Sequence, residues 1–222
     1  MFTSLLLLSL SLKVAAGSPE LADPEAKAWD QVAAARLALN RTPPLYDTDP
    51  PSSPEIDTVE VRLARAGGKL LVHLAWQDRT QDAATLAAIP ETAYEARNKR
   101  EHTAESARFF DAAAVMVPAS GTRAPSLQMG DVQHPVTIYY WNATRGAMLM
   151  AAEGRGTTRR LGPSFPARGV FRAGTWRVTF ELPEPPAGAP LAFAVWNGSQ
   201  LDRDGRKYFS VWHWLETADE RR

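Results

Sequence analysis

Residues 58–77 read TVEVRLARAGGKLLVHLAWQ. Val59, Val61 and Leu63 alternate with polar residues, and Leu70, Val72, Leu74 and Trp76 do the same beyond Gly67-Gly68. A period of two puts the apolar set on one face of a strand, and the Gly pair supplies a turn, so the stretch predicts a β-hairpin. The pattern recurs downstream. In TWRVTFELP, Trp176, Val178, Phe180 and Leu182 alternate, and PLAFAVW follows a Pro-rich turn. KYFSVWHWLE sets Tyr208, Ser210, Trp212 and Trp214 against Phe209, Val211, His213 and Leu215. FFDAAAVMVP reads as a buried strand stopped by Pro118, and VTIYYW and AMLMAAEG as two more. Eight or so short strands predict a mainly β fold, a single antiparallel β-sandwich.

The rest of the chain divides around this core. The first residues, MFTSLLLLSLSLKVAAGS, carry an apolar run from Leu5 to Leu12 and small residues before Gly17. They are expected to be an export signal over 1–16, too short to span a bilayer, so the mature chain has no membrane span. Residues 17–55 are expected to form an N-terminal segment: an Ala-rich stretch over 24–39 predicts a short helix, and a Pro-rich linker follows. The sandwich domain is expected over 56–222, interrupted by a polar, Ala-rich insertion at 79–108 that reads as a helix or long loop.

Composition excludes several function classes. Lys plus Arg and Asp plus Glu balance at 25 each, so no overall field favours nucleic acid or an anionic membrane. The chain has no Cys, which excludes disulfides, iron–sulfur clusters, thiol catalysis and covalent c-type haem. An exported protein without Cys fits a bacterial periplasm. No G-x-S-x-G, Walker loop, H-E-x-x-H or G-x-G-x-x-G occurs. The four His residues are scattered, with no metal-pair spacing.

Two residues remain as candidate metal donors. Met129 sits in LQMGD, beside a Gly-Asp turn signal, where a loop faces water. A thioether there is either half-buried packing or a ligand for soft metals and haem iron. Lys207 is one of four Lys beyond residue 16, in a chain whose other cations are nearly all Arg. It is either a turn-flanking cation or, once deprotonated, a nitrogen ligand, a role closed to Arg. Both residues lead into aromatic-rich strands. If those strands lie side by side and run the same way, the two donors gather at one end of the sandwich. His134 precedes Pro135 near Met129 and is a candidate to line the same site. Asp202 and Asp204, in QLDRDGRK, resemble a fragment of a calcium loop but lack its later ligands, so a plain turn is the better reading.

HLAWQDRT, FFDAAAVMVP, LQMGD leading to PVTIYYWNA, and AFAVWNGSQLDRDGRKYFSVWHWLE together carry a resemblance, over roughly residues 56–216. The chain resembles the haem b (gamma) subunits of type II dimethyl-sulfoxide-reductase-family molybdoenzymes. These include the small subunits of ethylbenzene dehydrogenase, dimethyl sulfide dehydrogenase, and selenate and chlorate reductases. The resemblance implies a β-sandwich holding one non-covalent haem b, with Met129 and Lys207 as axial ligands of its iron. It implies electron transfer rather than catalysis. The partners would be a molybdopterin catalytic alpha subunit, an iron–sulfur beta subunit, and a c-type cytochrome or quinone-linked carrier. The chain departs from the family in having Asn197 where members often carry Asp, and in the 79–108 insertion. The alternative from another class is a haem-free carbohydrate- or ligand-binding module, which seven Trp would suit.

Overall fold

The computed structural model describes residues 11–43, 55–83, 110–200, 202 and 204–216. Two sheets face each other. The nine-stranded sheet holds β1 (Ser11–Leu12), β4 (Asn40–Arg41), β7 (Ala112–Pro118), β8 (Val136–Asn142), β9 (Gly146–Ala152), β10 (Arg159–Arg160), β13 (Pro190–Trp196), β14 (Tyr208–Phe209) and β15 (His213–Leu215). The six-stranded sheet holds β2 (Val14–Ala16), β3 (Ala34–Ala38), β5 (Thr58–Ala66), β6 (Lys69–Gln77), β11 (Ala167–Arg172) and β12 (Thr175–Pro183). The central order of the first sheet is β15-β13-β7-β8-β9, and that of the second is β11-β12-β6-β5.

The alternation read from the sequence sets the core. Val59, Val61, Leu63, Leu70, Val72, Leu74 and Trp76 are buried between the sheets with Val178 and Phe180. They meet Val115, Trp141, Leu191, Phe193 and Val195 of the other sheet. Each such side chain contributes about 1.5–3 kcal/mol when fully buried, and packing the two sheets face to face buries both inner faces at once. Gly169 of β11 lies directly over the Trp141 indole, where a Cβ would collide with the ring.

Two expectations change. The sandwich is not purely antiparallel: β1 runs parallel to β15, and β2 parallel to β5. The predicted helix over 24–39 is instead one short 3-10 turn, Lys27–Gln31, followed by β3, and a second 3-10 turn, Pro19–Ala22, precedes it. β3 pairs with β5 from Ala34↔Arg62 to Ala38↔Thr58. The helix preference of Ala over ordinary residues is at most about 0.7 kcal/mol per residue, less than the open edge of β5 offers in ladder bonds and burial of Leu37. Residues 11–16 pair in both sheets. Leu12 is 2% exposed in the core, and Val14–Ala16 pair with Leu63–Arg65. The 17–55 segment likewise joins the sandwich through β3 and β4. Most of the 79–108 insertion and of the Pro-rich linker lies outside the described residues. The neck of the insertion is closed: Asp82 N donates to Asp111 Oδ2 at 2.7 Å, and Asp111 N to Asp82 O at 3.0 Å.

Candidate functional site

The site forms on the outer face of the nine-stranded sheet. β7 and β13 lie side by side there, with Ala194 opposite Ala114 and Trp196 opposite Ala112. Ala112, Ala114, Ala192 and Ala194 leave a shallow, flat, apolar floor. Around it stand Trp196, Tyr140, Met150, Phe209 and Trp212, and Met129 packs against the same cluster. Small side chains on adjacent strands are what such a floor requires. The Ala run was legible as a buried strand, but its role as a floor needed the register.

Met129 reaches this floor from the β7–β8 loop. Its φ is +74° and that of Gly130 is +73°, two left-handed residues in succession. The left-handed region is unfavourable for a long side chain, so the neighbours must hold it there. Gly130 N donates to Ser126 O, Gly154 N donates to Met129 O, both at 2.9 Å, and Trp212 Nε1 donates to Pro125 O at 2.8 Å. Gly130 has no room for a side chain, because a Cβ would sit 2.5 Å from His134 O. Asp131 caps the turn by accepting from the backbone N–H of Gln133 and of His134 at 2.9 Å. These bonds, to the His134 backbone first, hold its carboxyl below the usual range.

Lys207 reaches the floor from the opposite side. Its N–H donates to Thr42 Oγ1 at 2.7 Å, and its carbonyl accepts from Thr42 N and Oγ1. The preceding turn is fixed by Asp202, which the sequence left as a plain turn residue. Asp202 is 2% exposed and accepts from both terminal nitrogens of Arg41, at 2.7 and 2.5 Å. Arg206 Nε lies 3.4 Å away, and Asn197 N donates to the same carboxylate. Burial raises its pKa, and the Arg41 guanidinium opposes the rise.

The two donors meet. Lys207 Nζ donates to Met129 Sδ at 3.6 Å and stands 5.3 Å from the Trp196 ring centre. They do not gather as the sequence suggested, from strands running the same way. β8, β7, β13 and β14 are successively antiparallel, so the strands after Met129 and Lys207 run in opposite directions. The contact forms because the 119–135 loop folds back over the sheet and both unbranched side chains extend across it. Burial and, second, the Arg155 guanidinium push the Lys207 ammonium down to about 8, against the pull of Asp204. His134 does not join the pair. Its ring nitrogens face Asp131 Oδ1 and Arg123 Nη1, both at 3.2 Å, so it braces the Met129 turn.

The inter-sheet end holds a second polar group that sequence reasoning missed. Asp111 is fully buried and accepts from Asp82 N, Trp176 Nε1 and Gly198 N. Burial pushes its pKa up to about 7 and that of Asp78 to about 6, each carboxylate opposed in part by its donors. No group of three or more metal-binding His, Asp or Glu exists among the described residues. The donors come from three distant segments, so nothing local marked Asp111. Two clefts, of about 370 and 550 Å³, lie over the outer face of the six-stranded sheet, away from Met129 and Lys207.

The family model described as ethylbenzene dehydrogenase matches residues 26–185, most of the sandwich. The chain belongs to the ethylbenzene dehydrogenase family. The family match includes Met129 and stops before Lys207. Among curated relatives, the chain is 30% identical over 202 residues to the "Putative respiratory nitrate reductase heme subunit ORF7" of Haloferax mediterranei, covering 86% of this chain and 66% of that one. It is 26% identical over 215 residues to the chlorate reductase subunit gamma of Ideonella dechloratans, covering 91% and 81%. It is 28% identical over 216 residues to the dimethylsulfide dehydrogenase subunit gamma of Rhodovulum sulfidophilum, covering 87% and 73%. The chain thus spans about two thirds of the Haloferax relative's length. No helix among the described residues is long and apolar enough to cross a membrane.

Proposed function

We propose that this chain is a haem b-binding electron-transfer subunit, with Met129 and Lys207 as the axial ligands of the haem iron. The observation that carries the reading is the Met129–Lys207 contact. A thioether and an amine from opposite ends of the strands converge over an apolar floor, and no carboxylate among the described residues forms an ion pair with the amine. This donor set suits iron in a haem and not a hard cation. Met129 and Lys207 would hold the iron between Sδ and Nζ, which touch at 3.6 Å and sit on unbranched side chains that can part by rotamer changes.

When bound, a haem supplies one-electron exchange between ferric and ferrous iron. The protein does the rest. Met129 would favour the reduced state. Lys207 would give up its ammonium proton to offer the lone pair, and burial already pushes that amine down to about 8. Two protein donors leave no coordination position for a substrate, so catalysis falls to a separate subunit. The Thr42, Asp202 and Asp131 contacts fix the ligand loops.

The names of the relatives, a heme subunit and two gamma subunits of reductase or dehydrogenase complexes, support the same role here. In this reading the chain works with a molybdopterin catalytic subunit and an iron–sulfur subunit, and exchanges electrons with a c-type cytochrome or quinone-linked carrier. It works in the periplasm, carried there by an N-terminal export signal whose apolar run is Leu5 to Leu12. A carbohydrate-binding module loses its support, because six of the seven Trp are at most 7% exposed and Trp214 reaches 36%.

The test is the visible spectrum of protein purified from haem-sufficient cells. A Soret band, with sharp alpha and beta bands on reduction and haem extractable into acid acetone, is expected. A colourless, folded protein would overturn the reading.

A further inference from the structure

We infer that Arg155 is the residue that holds a haem propionate, an assignment that rests on the haem reading above. A haem brings two carboxylates to the edge of its site, and these seek guanidinium partners. The cations around Met129 and Lys207 are mostly committed. Arg41 and Arg206 are buried against Asp202. Arg123 lies with the His134 ring, and Arg159 lies 3.9 Å from Glu153. Arg155 is exposed and pairs with no acid among the described residues.

Its placement is fixed by the backbone. Gly154 N donates to Met129 O at 2.9 Å, and a Cβ on Gly154 would lie 3.9 Å from Gly130 O. The next residue is therefore anchored at the margin of the Met129 turn. Gly154 and Gly156 have φ of +124° and +83°, so Arg155 is carried on a turn between two glycines. An exposed guanidinium at that margin is placed to pair with a carboxylate of a haem held by Met129 and Lys207.

Haem-free full-length protein, titrated with haem and with haem dimethyl ester, tests this directly. The ester keeps the iron and the ring but carries no charge. The wild type should prefer haem over the ester. Arg155→Ala should lose that preference by about fivefold, the scale of an exposed ion pair, with ester affinity and melting temperature unchanged. Arg155→Lys should keep part of it. Arg168→Ala, on the other sheet, should behave as wild type. If Arg155→Ala keeps the wild-type preference, the assignment of Arg155 is overturned while the haem reading stands. If the wild type binds neither porphyrin, the haem reading falls and the assignment falls with it.

Discussion

Lys207 Nζ donates to Met129 Sδ at 3.6 Å, although the two residues are 78 positions apart and enter from strands running in opposite directions. Two loops hold that contact, and each contains a residue whose loss should break it in a distinct way.

On the Met129 side the residue is Gly130. Its φ of +73° and the closeness of His134 O leave no space for a methyl group. Gly130→Ala should destabilise the protein by about 1–3 kcal/mol, the cost of a strained backbone position. It should also weaken the low-spin haem spectrum, because the Met129 turn must rearrange. Urea denaturation paired with absorption spectra checks both. An unchanged midpoint would show that the turn is not constrained as described.

On the Lys207 side the residue is Asp202. Asp202→Ala leaves Arg41 and Arg206 facing a buried gap, and removing one partner of a buried ion pair costs about 3–5 kcal/mol. The loss should appear in the denaturation midpoint of haem-free protein. Haem affinity should fall further than Gly130→Ala lowers it only if the 202–207 turn is the more rigid of the two supports.

The N-terminal strands give a third outcome. Leu12 sits in the core and Val14–Ala16 pair with β5, so a mature chain starting at Gly17 would lose two edge strands. Intact-mass measurement of the exported protein should give a chain that keeps Ser11–Ala16. A Leu12→Ala change should cost about 2–5 kcal/mol, as for other buried Leu truncations. A mature mass beginning at Gly17 would contradict the packing described.

Stability should depend on pH in a defined way. Asp111 titrates near 7 when folded and near the ordinary 3.8 when unfolded, so the folded state binds the extra proton and stability rises as pH falls from about 8 to 6.5. Asp78, raised to about 6, adds to the rise below that. His73 works the other way. Burial lowers it from 6.5 to about 4, so its contribution is present above 6.5 and is lost as pH falls toward 4. His213 is lowered by burial in the same sense. The melting temperature of haem-free protein should therefore climb from pH 8 to 6.5 and then level off. A steady fall as pH drops over that range would contradict the raised pKa of buried Asp111.

Much of the sandwich was legible because alternation over five to nine residues is decided locally. Val59 through Trp76 and Trp176 through Leu182 landed on the inner face that their pattern demanded. The 24–39 stretch was misread because Ala favours helix only weakly, whereas the free edge of β5 is invisible in the sequence. Met129 and Lys207 stood out in the sequence as residue types out of place. Their route together did not, since it depends on β7 and β13 lying between β8 and β14. Asp111, the Ala floor and Arg155 were hidden for the same reason: each takes its role from partners distant along the chain.

The central claim is that Met129 and Lys207 both bind the iron. The most direct measurement is the absorption spectrum of reduced, haem-loaded protein for the wild type, Met129→Ala and Lys207→Arg. Lys207→Arg keeps the positive charge but removes the ligating lone pair. The account predicts sharp low-spin alpha and beta bands in the wild type and their loss or displacement in both variants. Parent spectra in both variants would contradict it.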